Sequence, residues 1–418
     1  MKQAPEQPLV QHDSIIVCDV CDWVNQIPPL RQGQRVRCAR CHHALLTITP
    51  KLPERLLTLS GSALLMLTMA LIFPFLGFSA KGTGQWITLP DTVITLLSHH
   101  FIFLGILITL FLLVLPIGFL ISTSYIALAW TMKRPFPLQS MAARWLVAVQ
   151  PWLMVDVFLV GILVALVKLH SLAQIETGLS FWAYCAFVIL FIKVMSLVDR
   201  RMLWFRVASH STPSQDIHQD MSSCNFCGTA VNSNSTYCPR CHHHLHKRRP
   251  DSLKRTIALL IAAIFMYIPA NLFPIMNTEF LGQSMPSTIL GGVILLWGMG
   301  SYPVAIIIFI ASIVVPIAKI LSLSWLCWQC YHPGNRAAHQ KTILYHITEF
   351  IGRWSMIDVF VVAVLSTLVQ LGNLMSIIPG SAAISFASVV ILTMLAAMAF
   401  DPRLLWDSSE KLQEKSIE

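Results

Sequence analysis

Charged residues are scarce in this chain. Asp, Glu, Lys and Arg make up 12% of the 418 residues, whereas hydrophobic residues make up 55%. A soluble globular domain has about twice that charged fraction. The composition therefore excludes an ordinary soluble protein and predicts several membrane-spanning segments.

Two recognisable motifs are also missing. The sequence has no GxxxxGK[ST] loop, so it lacks the P-loop type of ATP site. We expect any energy input to come from an ion gradient or from elsewhere. No secretory signal peptide is visible, because the N-terminal segment is polar and the first apolar run starts near Leu56.

Eight of the eleven cysteines form four CxxC pairs in two polar segments. Each segment offers four thiolates to one tetrahedral ion, with the spacing of a zinc ribbon. We predict two structural zinc sites, with a rubredoxin-like iron site or redox sensing as alternatives. The predicted ligands are Cys18, Cys21, Cys38 and Cys41 in the first ribbon and Cys224, Cys227, Cys238 and Cys241 in the second.

The second half of the chain repeats the first. The matching motifs are Phe73-Pro74 with Phe273-Pro274, Leu115-Pro116-Ile117 with Val315-Pro316-Ile317, Asp156-Val157-Phe158 with Asp358-Val359-Phe360, and Asp199-Arg200-Arg201 with Asp401-Pro402-Arg403. Each half has four apolar runs long enough to span a bilayer. We predict an all-α polytopic membrane protein with two tandem four-helix modules in the same orientation, each preceded by a zinc ribbon. The predicted boundaries are 1–52 (first ribbon), 53–204 (first module), 205–252 (second ribbon), 253–406 (second module) and 407–418 (polar tail).

The net charge of +9 reflects topology more than a nucleic-acid partner, and we expect no nucleic-acid binding. The basic residues that fall in spans or in loops away from the ribbons are Lys81, Lys168, Lys193 and Lys319. The other basic residues lie on the ribbon side. The positive-inside rule then places both ribbons and both termini in the cytoplasm.

Asp358 is a carboxylate inside a predicted span, where a charge costs about 2.5–3.5 kcal/mol on insertion scales. At about 1.5 Å per residue, Lys319 and Thr393 come to a comparable depth, and Ser312 lies two turns from Lys319. These four residues form a candidate polar network. It is either an ion pair that fixes helix register or a protonatable relay on a transport path.

The first module lacks this network. By the repeat, Phe119 stands at the place of Lys319 and Phe191 at the place of Thr393, so Asp156 has no equivalent partners. We expect the polar function in the second module and a mainly structural role for the first.

A candidate outward-facing cavity lies at the other end of the second module. Asn271 and Pro274 fall near the outer end of the fifth predicted span, and Tyr302 falls near the outer end of the sixth. The prolines leave backbone carbonyls without a helical partner, and these carbonyls and the Asn side chain can line a cavity.

Four longer motifs suggest a family. Residues 269–275 (PANLFPI), 285–290 (MPSTIL), 352–358 (GRWSMID) and 401–406 (DPRLLW), together with the paired ribbons, resemble the paraquat-inducible protein A family over essentially the whole chain.

The resemblance implies a multi-pass inner-membrane protein of Gram-negative bacteria that contributes to envelope integrity and stress response. It implies a transporter rather than an enzyme, which works with a periplasmic MCE-domain protein to move phospholipid between membranes. In a related family member the second module carries a polar network, whose positions map onto Ser312, Lys319, Asp358 and Thr393. A metal- or redox-sensing membrane regulator and a passive anchor of the tunnel are the alternatives.

Overall fold

The computed structural model describes residues 14–28, 30, 32–80, 83–98, 102–170, 174–208, 221–232, 234–280, 283–298, 300, 302–332, 338–368 and 375–407. The predicted polar tail therefore lies outside the described residues from 408 onward. Within these ranges the chain is mostly helical.

The first module is built from eight helices that follow the first ribbon. They are α1 (Leu52–Ile72), α2 (Leu89–Ser98), α3 (Ile102–Ile108), α4 (Leu115–Thr131), α5 (Gln139–Val149), α6 (Val155–His170), α7 (Leu179–Leu197) and α8 (Arg200–Val207). The second module repeats the first seven after the second ribbon. Its helices are α9 (Ser252–Leu272), α10 (Ile289–Gly298), α11 (Tyr302–Phe309), α12 (Val315–Tyr331), α13 (Ala338–Gly352), α14 (Ile357–Leu368) and α15 (Ser381–Ala399).

One long helical passage in each module contains a π-helical turn just before a proline. The turns are Thr109–Val114, before Pro116, and Ile310–Val314, before Pro316. Proline has no N–H to donate and its ring clashes with the carbonyl four residues earlier, and a wider π turn takes up that mismatch. The chain therefore passes through these prolines without leaving the helical path.

The ends of the helices opposite the ribbons carry a small antiparallel sheet in each module. The first consists of β1 (Leu76–Ala80), β2 (Thr83–Ile87) and β3 (Gln174–Thr177), and the second of β4 (Met276–Phe280), β5 (Gln283–Ser287) and β6 (Met375–Pro379). The prediction of an all-α fold is corrected by these two sheets. Strand pairing satisfies the backbone groups at this end of the bundle, but strands of four or five residues leave almost no pattern in the sequence.

Gly380 allows the last span of the second module to start against the end of the first span. Its N–H donates to the carbonyl of Ile275 at 2.8 Å. A Cβ atom there would lie 2.1 Å from the carbonyl oxygen of Pro274, and the same clash would occur between Gly178 and Pro74 in the first module. Both modules therefore need glycine at this contact.

The two modules pack together through α6 and α14, the helices that contain the repeated aspartates. The rings of Phe158 and Phe360 meet edge to face, with their centroids 5.4 Å apart. Gly161 lets the backbones approach, because its added Cβ would lie 3.2 Å from Cβ of Phe360. This contact sets how the two halves are placed.

Seven helices in the described ranges are long and apolar enough to cross a membrane. They are Leu52–Ile72, Gly105–Thr131, Gln139–Val167, Leu179–Leu197, Ser252–Leu272, Ala305–Tyr331 and Ser381–Ala399. The sequence predicted an eighth span, around Asp358. There the structure has α13 and α14, separated by a 3-10 turn at Arg353–Met356. The common orientation of the two modules stays a prediction.

We expect Gly380→Ala to destabilise the protein, because a buried Cβ would force the Pro274 carbonyl away. Overpacking of this kind costs about 1–3 kcal/mol. Chemical unfolding in detergent micelles measures the loss, and Gly61→Ala is the matched control, because its Cβ would meet no atom within 4 Å. Equal stability of the two variants would contradict the tight contact.

Candidate metal centres and polar site

The eight CxxC cysteines form two clusters of four buried thiols. Within each cluster all Sγ atoms lie within 4.8 Å of one another. The shortest separations are 3.5 Å between Cys18 and Cys41 and 3.6 Å between Cys21 and Cys38. A tetrahedral ion with Zn–S bonds of about 2.3 Å needs sulfur atoms about 3.8 Å apart, so this donor set fits one zinc ion with only small adjustments.

The second cluster has the same geometry. Cys224 and Cys241 are 3.7 Å apart, and Cys227 and Cys238 are 3.5 Å apart. Both clusters can therefore hold a metal ion. Four soft thiolates favour zinc or iron, and the choice of zinc stays a prediction.

All four CxxC turns share one backbone geometry. The N–H of the first cysteine donates to the carbonyl five residues later, as from Cys18 to Trp23 at 3.0 Å. The residue after the second cysteine takes a left-handed conformation in every turn, and these residues are Asp22, His42, Gly228 and His242. Each turn thus points two sulfur atoms to one side.

The first CxxC turn is joined to the first module by charge. Asp19 accepts hydrogen bonds from Arg200 at 2.7 Å and from Arg201 at 2.9 Å. Desolvation would raise the pKa of Asp19, but Arg201, Arg200 and His43 outweigh it and lower the pKa to about 2. The carboxylate is therefore charged at neutral pH.

The same turn is joined to the second module by Asp22. Arg403 lies 3.5 Å from Asp22 and also donates to Asn225 of the second ribbon at 2.6 Å, while Arg248 pairs with both Asp22 and Asp407. The first CxxC turn thus contacts the ribbon-side ends of both modules. The Asp-Arg-Arg and Asp-Pro-Arg motifs are recognisable in the sequence as repeat and family motifs, but their contacts with the first ribbon were not predicted.

Lys319 is buried in the second module, and its amino group donates hydrogen bonds to two oxygen atoms. Its Nζ donates to Oγ1 of Thr393 at 2.8 Å and to the carbonyl of Gly352 at 3.3 Å. That carbonyl ends α13 and also accepts a bond from Ser355 at 2.9 Å. A helix C-terminus carries partial negative charge, which favours a cation there.

Gly352 makes this arrangement possible. An added Cβ would lie 2.9 Å from Cε of Lys319 and 3.0 Å from its Nζ. The repeat places Gln150 at the equivalent position of the first module. Sequence reasoning quoted the motif around Gly352 but gave this residue no role.

Ser312, another member of the predicted network, makes a different contact, and the place of the Asp358 side chain stays a prediction. Ser312 is buried in the π turn and donates to the carbonyl of Ile308 at 2.6 Å. No hydrogen bond between Ser312 and Lys319 is found in the described part of the chain. Asp358 is the second residue of α14, and its side chain lies outside what the structure describes.

The equivalent place in the first module is filled by aromatic rings. Phe119 and Phe191 are both buried, with ring centroids 5.7 Å apart. Both modules therefore have a contact at this place. Two aromatic rings form it in the first module, and the Lys319 amino group and the Thr393 hydroxyl form it in the second.

The predicted outward cavity is small in this structure. A cavity of about 40 Å³ lies between α10, α14 and the strand that begins at Met276, and its lining includes Thr288, Leu296 and Val362. Such a volume has room for about one water molecule.

The residues predicted to line an outward cavity have other contacts in this structure, and their role at a cavity stays a prediction. Asn271 donates to the carbonyl of Tyr267 at 2.9 Å, and the carbonyl of Pro274 accepts from Ala382 at 3.3 Å. Tyr302 is half exposed and packs its ring against Trp297. None of the three lines the cavity described above.

A comparison with protein families identifies the chain. The model of the family "Paraquat-inducible protein A" matches residues 54–208 and 253–410. The chain belongs to this family. The two matched segments correspond to the two modules of the repeat.

Curated relatives cover nearly the full chain. The chain is 42% identical over 399 residues to "Intermembrane transport protein PqiA" of Escherichia coli K12, covering 94% of this chain and 95% of the relative. It is 29% identical over 394 residues to "Lipophilic envelope-spanning tunnel protein A" of the same organism, covering 94% and 91%. A "Probable intermembrane transport protein" of Haemophilus influenzae is 28% identical, covering 94% and 95%. No solved structure matches the chain.

We expect two metal ions per purified chain and one after Cys18→Ser with Cys21→Ser, because two thiolates cannot close a tetrahedral site. Elemental analysis by mass spectrometry measures the count and identifies the metal. Cys185→Ser is the control and keeps two ions, since Cys185 stands outside both clusters. Two ions in the double variant would contradict the assignment of these ligands. Detection of iron in the unsubstituted protein would contradict the prediction of zinc.

Proposed function

We propose that this protein is the membrane-embedded subunit of an intermembrane phospholipid transport system. It resides in the bacterial inner membrane with both ribbons and both termini in the cytoplasm. It exchanges phospholipid with a periplasmic MCE-domain partner at the outward end of the second module. Lys319 and Asp358 couple this exchange to proton movement.

The names of the relatives support a transport role. Two are called intermembrane transport proteins, and a third is called an envelope-spanning tunnel protein. The described spans support embedding in a membrane, and the excess of basic residues on the ribbon side supports the orientation.

The observation that carries the proposal is the buried, ionisable amino group of Lys319. An ionisable group inside a membrane bundle is expensive and is kept where it serves an ion or substrate path. Lys319 is 2% exposed and has a hydroxyl and one carbonyl as partners. The first module fills the equivalent place with two phenylalanines, so the fold itself does not require a charge there.

The small outward cavity corresponds to a closed state. Because α10 is short, with ten residues, it can move away from α14 without disturbing a full span. Opening there would admit an acyl chain beside Val362 and Leu365, which line the cavity.

We expect Lys319→Met combined with Thr393→Val to abolish lipid transfer while stability stays equal or rises. Replacing a buried polar pair by apolar residues of similar volume is often neutral or stabilising, and the Gly352 carbonyl keeps its bond from Ser355. Transfer of a fluorescent phospholipid is measured in vesicles containing the protein and its MCE partner.

The matched control is Phe119→Leu with Phe191→Leu, which alters the equivalent contact of the first module. We expect that variant to lose stability and to retain transfer. Normal transfer by the Lys319 and Thr393 variant would support a passive anchor instead. Loss of regulation only in the cysteine variants would support a metal or redox sensor.

A further inference from the structure

A second, much larger cavity lies between the two modules on the ribbon side. Its volume is about 640 Å³, within the range of small-molecule sites. The first module contributes the end of α5 and the end of α7, and the second contributes residues of α12, α13 and α15. The cavity reaches from exposed Ser196 to the buried Lys319.

Both signs of charge line this cavity. Arg200, Arg353 and Lys319 supply cations, and Asp199 and Glu349 supply carboxylates. Arg200 is already paired with Asp19 of the first ribbon. Arg353 has no carboxylate within 4 Å among the described side chains, and its guanidinium lies 5.8 Å from the centre of the Phe350 ring. It is therefore available to a ligand.

Glu349 is half exposed at the same opening. Its only described ion-pair partner is His346, with 3.7 Å between Oε2 and Nδ1. Glu349 lies in α13 and Arg353 begins the 3-10 turn that follows it, and both line the cavity. The cavity thus presents a half-exposed carboxylate and a guanidinium to a ligand.

The inner walls are apolar. Val147 and Met195 come from the first module, and Met394 and Ala397 come from the second. A ligand that matches this cavity has a head with both charges and a hydrocarbon part. Basic pockets between membrane helices on the cytoplasmic side bind lipid headgroups, and an arginine suits a phosphate because its donors bind two oxygens at once.

We propose that this inter-module cavity binds a zwitterionic aminophospholipid of the ribbon-side leaflet. Its phosphate lies on Arg353, its ammonium lies toward Glu349, and the start of its acyl chains lies along Val147 and Met394. The site is separate from the outward cavity, and it lies in the opposite half of the bilayer. It places a lipid against both modules at once.

Native mass spectrometry of the full-length protein in detergent tests the site. The probes are phosphatidylethanolamine, phosphatidylglycerol and inorganic phosphate. We expect Arg353→Ala to weaken phosphatidylethanolamine binding at least fivefold. We expect Glu349→Gln to lower the preference for phosphatidylethanolamine over phosphatidylglycerol at least fivefold, because the latter lacks the ammonium.

Two controls keep the result specific. Arg255→Ala removes an exposed arginine near the start of α9 that does not line the cavity, and it should leave binding unchanged. Val362→Leu adds one methylene group to the wall of the small outward cavity and should also leave binding unchanged. Unaltered metal content and elution volume show that each variant is folded.

Three outcomes would overturn the proposal. One is binding that Arg353→Ala and Arg255→Ala reduce equally. Another is an unchanged lipid preference in Glu349→Gln. The third is displacement of the lipid by millimolar inorganic phosphate, which would assign the cavity to free phosphate. The measurement needs neither the MCE partner nor transport, so it can fail or succeed independently of the proposed function.

Discussion

The second module holds the amino group of Lys319 between its helices. Lys319 is 2% exposed, so protein oxygens replace most of the water that would otherwise solvate this group. Thr393 supplies a hydroxyl from α15, and the end of α13 supplies a carbonyl. The carbonyl is accessible because the helix changes to a 3-10 turn at this point and because Gly352 has no side chain. The side chain of Lys319 in α12 thus joins α13 and α15 at one depth.

The first module shows what the same fold does without that charge. Phe119 and Phe191 close the equivalent contact by packing alone. The comparison of the two modules distinguishes the need for a contact at this place from the need for a polar group. Contact between the second and fourth spans is structural, since both modules have it, whereas polarity at that contact belongs to one module.

Much of this organisation could be predicted from the sequence. Apolar runs, CxxC spacing and the repeat predicted most of the spans, the thiol clusters and the comparable depth of Lys319 and Thr393, because each depends on local spacing and helix rise. The contact between Gly352 and Lys319 could not be predicted, since it depends on the path of a side chain between helices. The short sheets, the π turns and the reach of Arg403 to Asp22 were missed for related reasons. Each arises from a tertiary arrangement that leaves at most one or two unusual residues in the sequence.

The bonds of the first ribbon have a consequence for assembly. Asp22 precedes all the described spans in the chain, whereas its partner Arg403 follows the last of them. The ribbon can bind its metal early, but it cannot complete its contacts until every helix has been inserted. Asp22 therefore gains Arg403 as a partner only after the last described span has been made. A chain truncated before Arg403 would leave the Asp22 carboxylate without this partner.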